Sequence, residues 1–154
     1  TFPIMAPHPL SLSAWLLAFV ALLTACSASR TVSIEDGWIE RPSDGAPAEL
    51  HLHIRNGLEQ SVRLVGVSVA GSENARLMST APEQRLPAIT LSAGQSLRIP
   101  EDGYRILIDA APVQWAQVES VNLQLAVEQS DGQLLTLSYD LHVHDHDEDH
   151  HHDH

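Results

Sequence analysis

The sequence predicts an all-β protein built as one domain, and three observations predict it. Beyond residue 30 the chain breaks into short segments of alternating or β-branched character. Gly, Pro, Asn and Asp punctuate these segments at short intervals. No long run there carries the 3.6-residue period of an amphipathic helix. Many short strands separated by frequent turns bury their apolar faces best as a β-sandwich or barrel. No internal repeat is visible.

Taken in order, the expected strands are Val32–Ile34, Trp38–Arg41, Ala48–Arg55, Val62–Val69, Ala75–Ser79, Ile89–Leu91, Ser96–Ile99, Tyr104–Asp109, Val118–Glu128 and Gln133–Leu141. Turn signals separate them: Pro42-Ser43-Asp44-Gly45, Asn56-Gly57, Gly71-Ser72, Ala93-Gly94, Asp102-Gly103 and Asp131-Gly132. The clearest alternation is Val121, Leu123, Leu125 and Val127 against Asn122, Gln124 and Ala126. With Ser130-Asp131-Gly132 and the run from Gln133 to Tyr139 it predicts a hairpin.

Residues Leu10 to Leu23 form an uncharged apolar run. It is short of the roughly 20 residues that span a bilayer, and it has the length of a signal-peptide core. Leu23-Thr24-Ala25-Cys26 follows and resembles the bacterial lipobox. The expectation is a signal peptide over 1–25, cleavage before Cys26, and a diacylglycerol on its thiol. Only a thiolate forms that thioether under mild conditions. The segment before Leu10 lacks the Lys or Arg with which signal peptides usually start. Ser27 follows the cysteine, with no Asp to signal inner-membrane retention. The expected location is therefore the periplasm, lipid-anchored, in the outer membrane of a two-membrane cell. Residues 26–31 read as a tether and 32–141 as the folded domain.

Of 154 residues, eight are arginine, none is lysine and twenty are Asp or Glu, for a net charge of −12 with neutral histidines. Such a surface is repelled by phosphate backbones, so nucleic acid is a poor partner and a cation a good one. The single cysteine, Cys26, lies in the export segment. The domain therefore has no internal disulfide and no cysteine nucleophile or ligand. There is no Ser-His-Asp context, no glycine-rich phosphate loop and no HExxH, so a binding module is expected rather than an enzyme.

From His142 the composition changes to HVHDHDEDHHHDH, seven histidines and five carboxylates in thirteen residues. With one apolar residue, Val143, this stretch is expected to be a disordered tail over 142–154 without ligand. Neutral imidazoles suit Zn(II), Cu(II) and Ni(II), and carboxylates add harder donors. His142, His144 and His146 alternate, so an extended chain places them on one face. His150, His151, His152 and His154 are close enough to wrap an ion. His51 and His53 flank Leu52 and also share a strand face; they are either two surface histidines or a place to recruit a tail histidine or an ion.

The stretch from Val32 to about Leu141 resembles the PCu(A)C periplasmic copper-chaperone family. Gly37-Trp38-Ile39-Glu40-Arg41-Pro42 is similar to the family's A-W-x-R-P strand. Gly45-Ala46-Pro47 with Leu52-His53-Ile54-Arg55-Asn56 resembles its G-x-P and Y-L-T-I-R-N. Arg63-Leu64-Val65-Gly66-Val67, Leu91-Ser92-Ala93-Gly94-Gln95 and Asp102-Gly103-Tyr104 resemble D-R-L-V-G-A, I-P-A-G-G and P-G-G-Y. The resemblance implies a cupredoxin-like β-sandwich and copper handling, often linked to delivery of copper to cytochrome oxidase.

The departures fall at the family's copper ligands. Its first ligand position matches Met78, its second Met position holds Ile89, and its His-x-Met falls on Arg105-Ile106-Leu107. Met78 and Arg105 enclose 26 residues, about six fewer than the family pattern requires. One methionine does not hold Cu(I), and a rim or core role is the simpler one for Met78. The sequence thus predicts a metal chaperone or buffer for copper or zinc that works mainly through its histidine tail. A copper-accepting oxidase assembly protein or a metal transporter is the expected partner. The alternative is a structural or interaction lipoprotein that kept the sandwich and lost the copper site.

Overall fold

A computed structural model describes Pro3 and residues 30–41, 46–70, 72, 74–109, 115 and 117–145. Apart from Pro3, the expected export segment lies outside the described residues, as do Cys26, most of the tether, and His146, His150, His151, His152 and His154. The chain forms ten strands: β1 (Val32–Arg41), β2 (Ala48–Asn56), β3 (Val62–Val69), β4 (Ala75–Thr80), β5 (Glu83–Leu86), β6 (Ile89–Leu91), β7 (Ser96–Ile99), β8 (Tyr104–Ile108), β9 (Ser120–Glu128) and β10 (Leu134–Asp145). Among the described residues there is no α-helix, as the all-β expectation required.

The strands join in the order β5-β4-β8-β2-β1-β10-β9-β3-β6. One edge of β2 is shared: Ala48–Leu50 pair with β8, and Leu52–Arg55 pair with β7. The sheet curves over itself as a sandwich, and its inward residues meet in one apolar cluster. Ile39, Leu50, Ile54, Leu64, Ile106, Ile108, Leu123 and Leu125 are fully buried in it. At roughly 1.5–3 kcal/mol for each large apolar side chain, this cluster supplies the stability that a cysteine-free domain needs.

The β9–β10 hairpin forms as the alternation predicts, with Leu125 opposite Leu137 and Val121 opposite Leu141. Its turn uses Gly132 at φ +84°, a conformation open to glycine, and Asp131 Oδ1 accepts from Gln133 N at 3.0 Å. The expected strands Val32–Ile34 and Trp38–Arg41 are one strand, β1, carrying a bulge between Ile34 and Asp36 in its ladder with β2. The extra residue resets the alternation. Ile34 pairs with Ile54, but past the bulge Gly37 and Ile39 are the buried residues. Trp38 and Glu40 therefore turn to the outer face. Gly37 fits because it has no side chain: a Cβ would lie 2.8 Å from Leu52 Cδ2 and 2.9 Å from Leu141 Cδ2.

Two further differences from the sequence expectation concern the sheet ends. β5 is an additional strand; its polar sequence carries no apolar alternation because it is an edge strand pairing only with β4. β10 runs to Asp145, four residues past the expected domain end at Leu141. His142–Asp145, expected to be disordered tail, extend the parallel ladder with β1 as Trp38↔His142, Ile39↔Val143, Glu40↔His144 and Arg41↔Asp145. Backbone pairing is indifferent to side-chain polarity, and Val143, packed against the core cluster, anchors the extension.

Candidate functional site

The outer face of β8, β2, β1 and β10 gathers the chemically distinctive side chains. On β2, Leu50, Leu52 and Ile54 point into the core, so Glu49, His51 and His53 point out. The bulge in β1 places Trp38 and Glu40 beside them, with Trp38 opposite His51 and Glu40 opposite Glu49. The parallel extension of β10 brings His142 level with Trp38 and His144 level with Glu40.

Aromatic packing holds this group together. The Trp38 and His51 rings stack at a centroid distance of 3.6 Å and an interplanar angle of 11°. The His144 and Trp38 rings meet in an inclined, edge-type contact at a centroid distance of 5.1 Å and an interplanar angle of 60°. His51 Nε2 is buried and makes no hydrogen bond among the described residues. It stands 3.5 Å from Glu40 Oε2, too far for an N–H···O bond of ordinary strength. His53 Nε2 lies 3.2 Å from Glu35 Oε2. Trp38, His51 and His53, with Asp36, Arg98 and Glu101, line a cleft of about 250 Å³.

Met78 and Arg105 are partners in the β4–β8 ladder, and Met78 also pairs with Arg85 on β5. Met78 is 9% exposed but lies outside the central apolar cluster, which makes it a rim methionine between two arginine positions. Arg105 makes a fork on Glu49, Nε to Oε1 at 3.1 Å and Nη2 to Oε2 at 2.9 Å. These hydrogen bonds raise the guanidinium pKa above its ordinary value, against partial burial, which lowers it. A permanent cation therefore occupies the place that the family resemblance gives to a ligand. Ile89 is 1% exposed and pairs with Leu64 on β3, as a core residue. The residues present do not fit a sulfur-rich Cu(I) site at this position.

Among the described residues, no three His, Cys, Asp or Glu side chains are already gathered around one point. The structure does bring together four of the histidines singled out in the sequence, His51, His53, His142 and His144, on one sheet face. Trp38 and Glu40 are the members that sequence reasoning missed. Trp38-Ile39-Glu40 alternates like a strand, but only the bulge decides which side faces out.

These features define an all-β sandwich with an acidic, histidine-bearing outer face. No protein-family model matches the chain, and no curated protein matches it. Solved structures do. The apo PCuAC domain of PmoF2 aligns at a TM-score of 0.58 with 24% identity, covering 76% of this chain and 92% of that chain. The copper-bound PCuAC domain of PmoF2 aligns at 0.54 with 22% identity, covering 74% and 94%. CuI-DR1885 from Deinococcus radiodurans, a solution structure, aligns at 0.55 with 21% identity, covering 82% and 85%. The fold is the PCuAC fold.

Proposed function

We propose that this chain is an exported, lipid-anchored metal chaperone or metal buffer that holds copper, or zinc, mainly through its histidine-rich C-terminal segment. The observation that carries the proposal is the course of β10, which leads the start of that segment onto the sheet face bearing His51 and His53. Copper is supported by the fold shared with copper-bound PCuAC domains, zinc by a donor set of imidazoles and carboxylates without sulfur. Cys26 supplies the anchor and the outer membrane the location; an oxidase assembly protein or a metal transporter receives the ion.

The test is titration of Cu(I), Cu(II) and Zn(II) into the full chain and into a variant with all seven histidines from His142 to His154 replaced by Asn. Affinity is expected to drop in the variant, and equal affinities would sink the proposal. Cys26→Ala is expected to move the protein out of the membrane fraction.

The Arg105–Glu49 fork favours a second reading, a structural or interaction lipoprotein that kept the sandwich without metal. On that reading, micromolar metal changes neither melting temperature nor partner binding.

A further inference from the structure

We infer that the sheet face carries a metal site of its own, formed by His51 Nε2, the Glu40 carboxylate and His144, for a borderline divalent cation such as Cu(II) or Zn(II). The inference deepens the proposed function and rests on it only in the class of ligand, since the site needs none of the histidines beyond Asp145.

Two of these donors stand at the spacing of neighbouring ligands on one ion. Two donors bound at about 2.0–2.1 Å to one tetrahedral ion stand about 3.3 Å apart. His51 Nε2 and Glu40 Oε2 stand 3.5 Å apart, a poor hydrogen-bond distance and a good ligand–ligand distance. A buried imidazole nitrogen without a hydrogen bond is unfavourable, and a cation between it and Glu40 removes that penalty.

The third donor is supplied by register. His144 is the ladder partner of Glu40, and its ring makes an inclined contact with the same indole that stacks on His51. Trp38 thus touches both histidines, one stacked on its face and the other inclined to it. As ladder partners on one face, Glu40 and His144 project side by side from adjacent strands. Stacking also fixes the His51 ring plane, so less conformational freedom is lost on binding than in an unstructured segment. Two imidazoles and a carboxylate, with no sulfur, select Cu(II) or Zn(II) over Cu(I).

The test uses the full chain with His146, His150, His151, His152 and His154 replaced by Asn, which leaves the sheet-face set intact. Cu(II) is the probe, because its paramagnetism quenches an indole nearby; Zn(II) is the diamagnetic competitor. One equivalent of Cu(II) is expected to bind and quench Trp38, with Trp38→Phe abolishing the quench but not the binding. Adding His51→Asn, Glu40→Gln or His144→Asn is each expected to weaken binding by about tenfold or more, while His53→Asn leaves it unchanged. Melting curves identify any variant that fails to fold, and the near-isosteric Glu40→Gln keeps the test decisive if His51→Asn does. If the five-histidine variant binds no Cu(II) while the parent does, the sheet-face site is overturned and the tail proposal stands. If the parent itself binds neither metal, both are overturned. Undiminished binding in Glu40→Gln and His144→Asn would also overturn the site.

Discussion

The indole of Trp38 lies face to face with the imidazole of His51, 3.6 Å away across the β1–β2 ladder. The bulge in β1 makes this contact, because without the extra residue Trp38 would point into the core. Such aromatic pairs are worth about 0.5–1.5 kcal/mol beyond the area they bury. A double-mutant cycle of Trp38→Leu and His51→Ala, followed by urea unfolding, is therefore expected to give a coupling energy of about 1 kcal/mol. A coupling near zero would mean that the rings are neighbours without mutual stabilisation.

Arg105 and Glu49 form the other notable pair on this face. The Arg105 side chain is 39% exposed and that of Glu49 24%, so the fork is screened and worth about 1 kcal/mol. Either partner changed to Ala should lower stability by about that much. A more telling experiment restores ligands. Leu107 lies two residues from Arg105 on β8, and Met78 is the ladder partner of Arg105. Arg105→His with Leu107→Met places an imidazole and a thioether beside Met78. The double variant is expected to gain Cu(I) binding in competition with a chromophoric chelator, where the parent's Met78–Arg105 pair binds none. No gain would mean that the shortened segment between Met78 and Arg105 has also changed the spacing of the two strands.

Asn56 holds a different part of the fold. It is fully buried, and its Nδ2 donates to the carbonyls of Gln60, Leu91 and Ser92 at 2.8, 3.2 and 3.0 Å. Its Oδ1 accepts from Leu58 N at 3.0 Å. One side chain thus ties the β2–β3 turn to the end of β6. Asn56→Ala removes four hydrogen bonds made by one buried side chain, and the expected loss is about 3 kcal/mol by thermal or urea unfolding. Asn56→Asp should be at least as damaging, since a carboxylate cannot donate to three carbonyls. A loss below about 1 kcal/mol would show that water replaces the amide.

How far the sequence reveals this molecule depends on which force sets each feature. The bounds of β3, β6 and β7 follow from side-chain patterning, because burial on one face writes itself into alternation. Asn56-Gly57 reads as a turn, and that much is right, but nothing local announces that the Asn56 amide reaches residues 35 and 36 positions away. β5 and the end of β10 are set by backbone pairing to a neighbour, so Glu83-Gln84-Arg85 and His142–Asp145 look like loop and tail. The shared face of His51 and His53 is legible from their spacing. Trp38 and Glu40 are not, because a bulge between Ile34 and Asp36 reverses the parity that their positions suggest.

Acid should release the metal, and the steepness of release should report how many histidines hold it. Imidazoles in general take up protons near pH 6.5, and a protonated imidazole cannot ligate. Metal and proton therefore compete, so affinity is retained above that pH and is lost as pH falls below it. With two histidine ligands, each pH unit lost well below the general imidazole range should weaken Cu(II) binding by about a hundredfold, one factor of ten per proton. Carboxylate protonation steepens the fall only near pH 4. Dissociation constants for the five-histidine variant at about pH 7.5, 6.0 and 5.0 should approach that slope at the acid end. A tenfold slope would mean that only one histidine ligates, and a flat profile would place the ion on carboxylates alone.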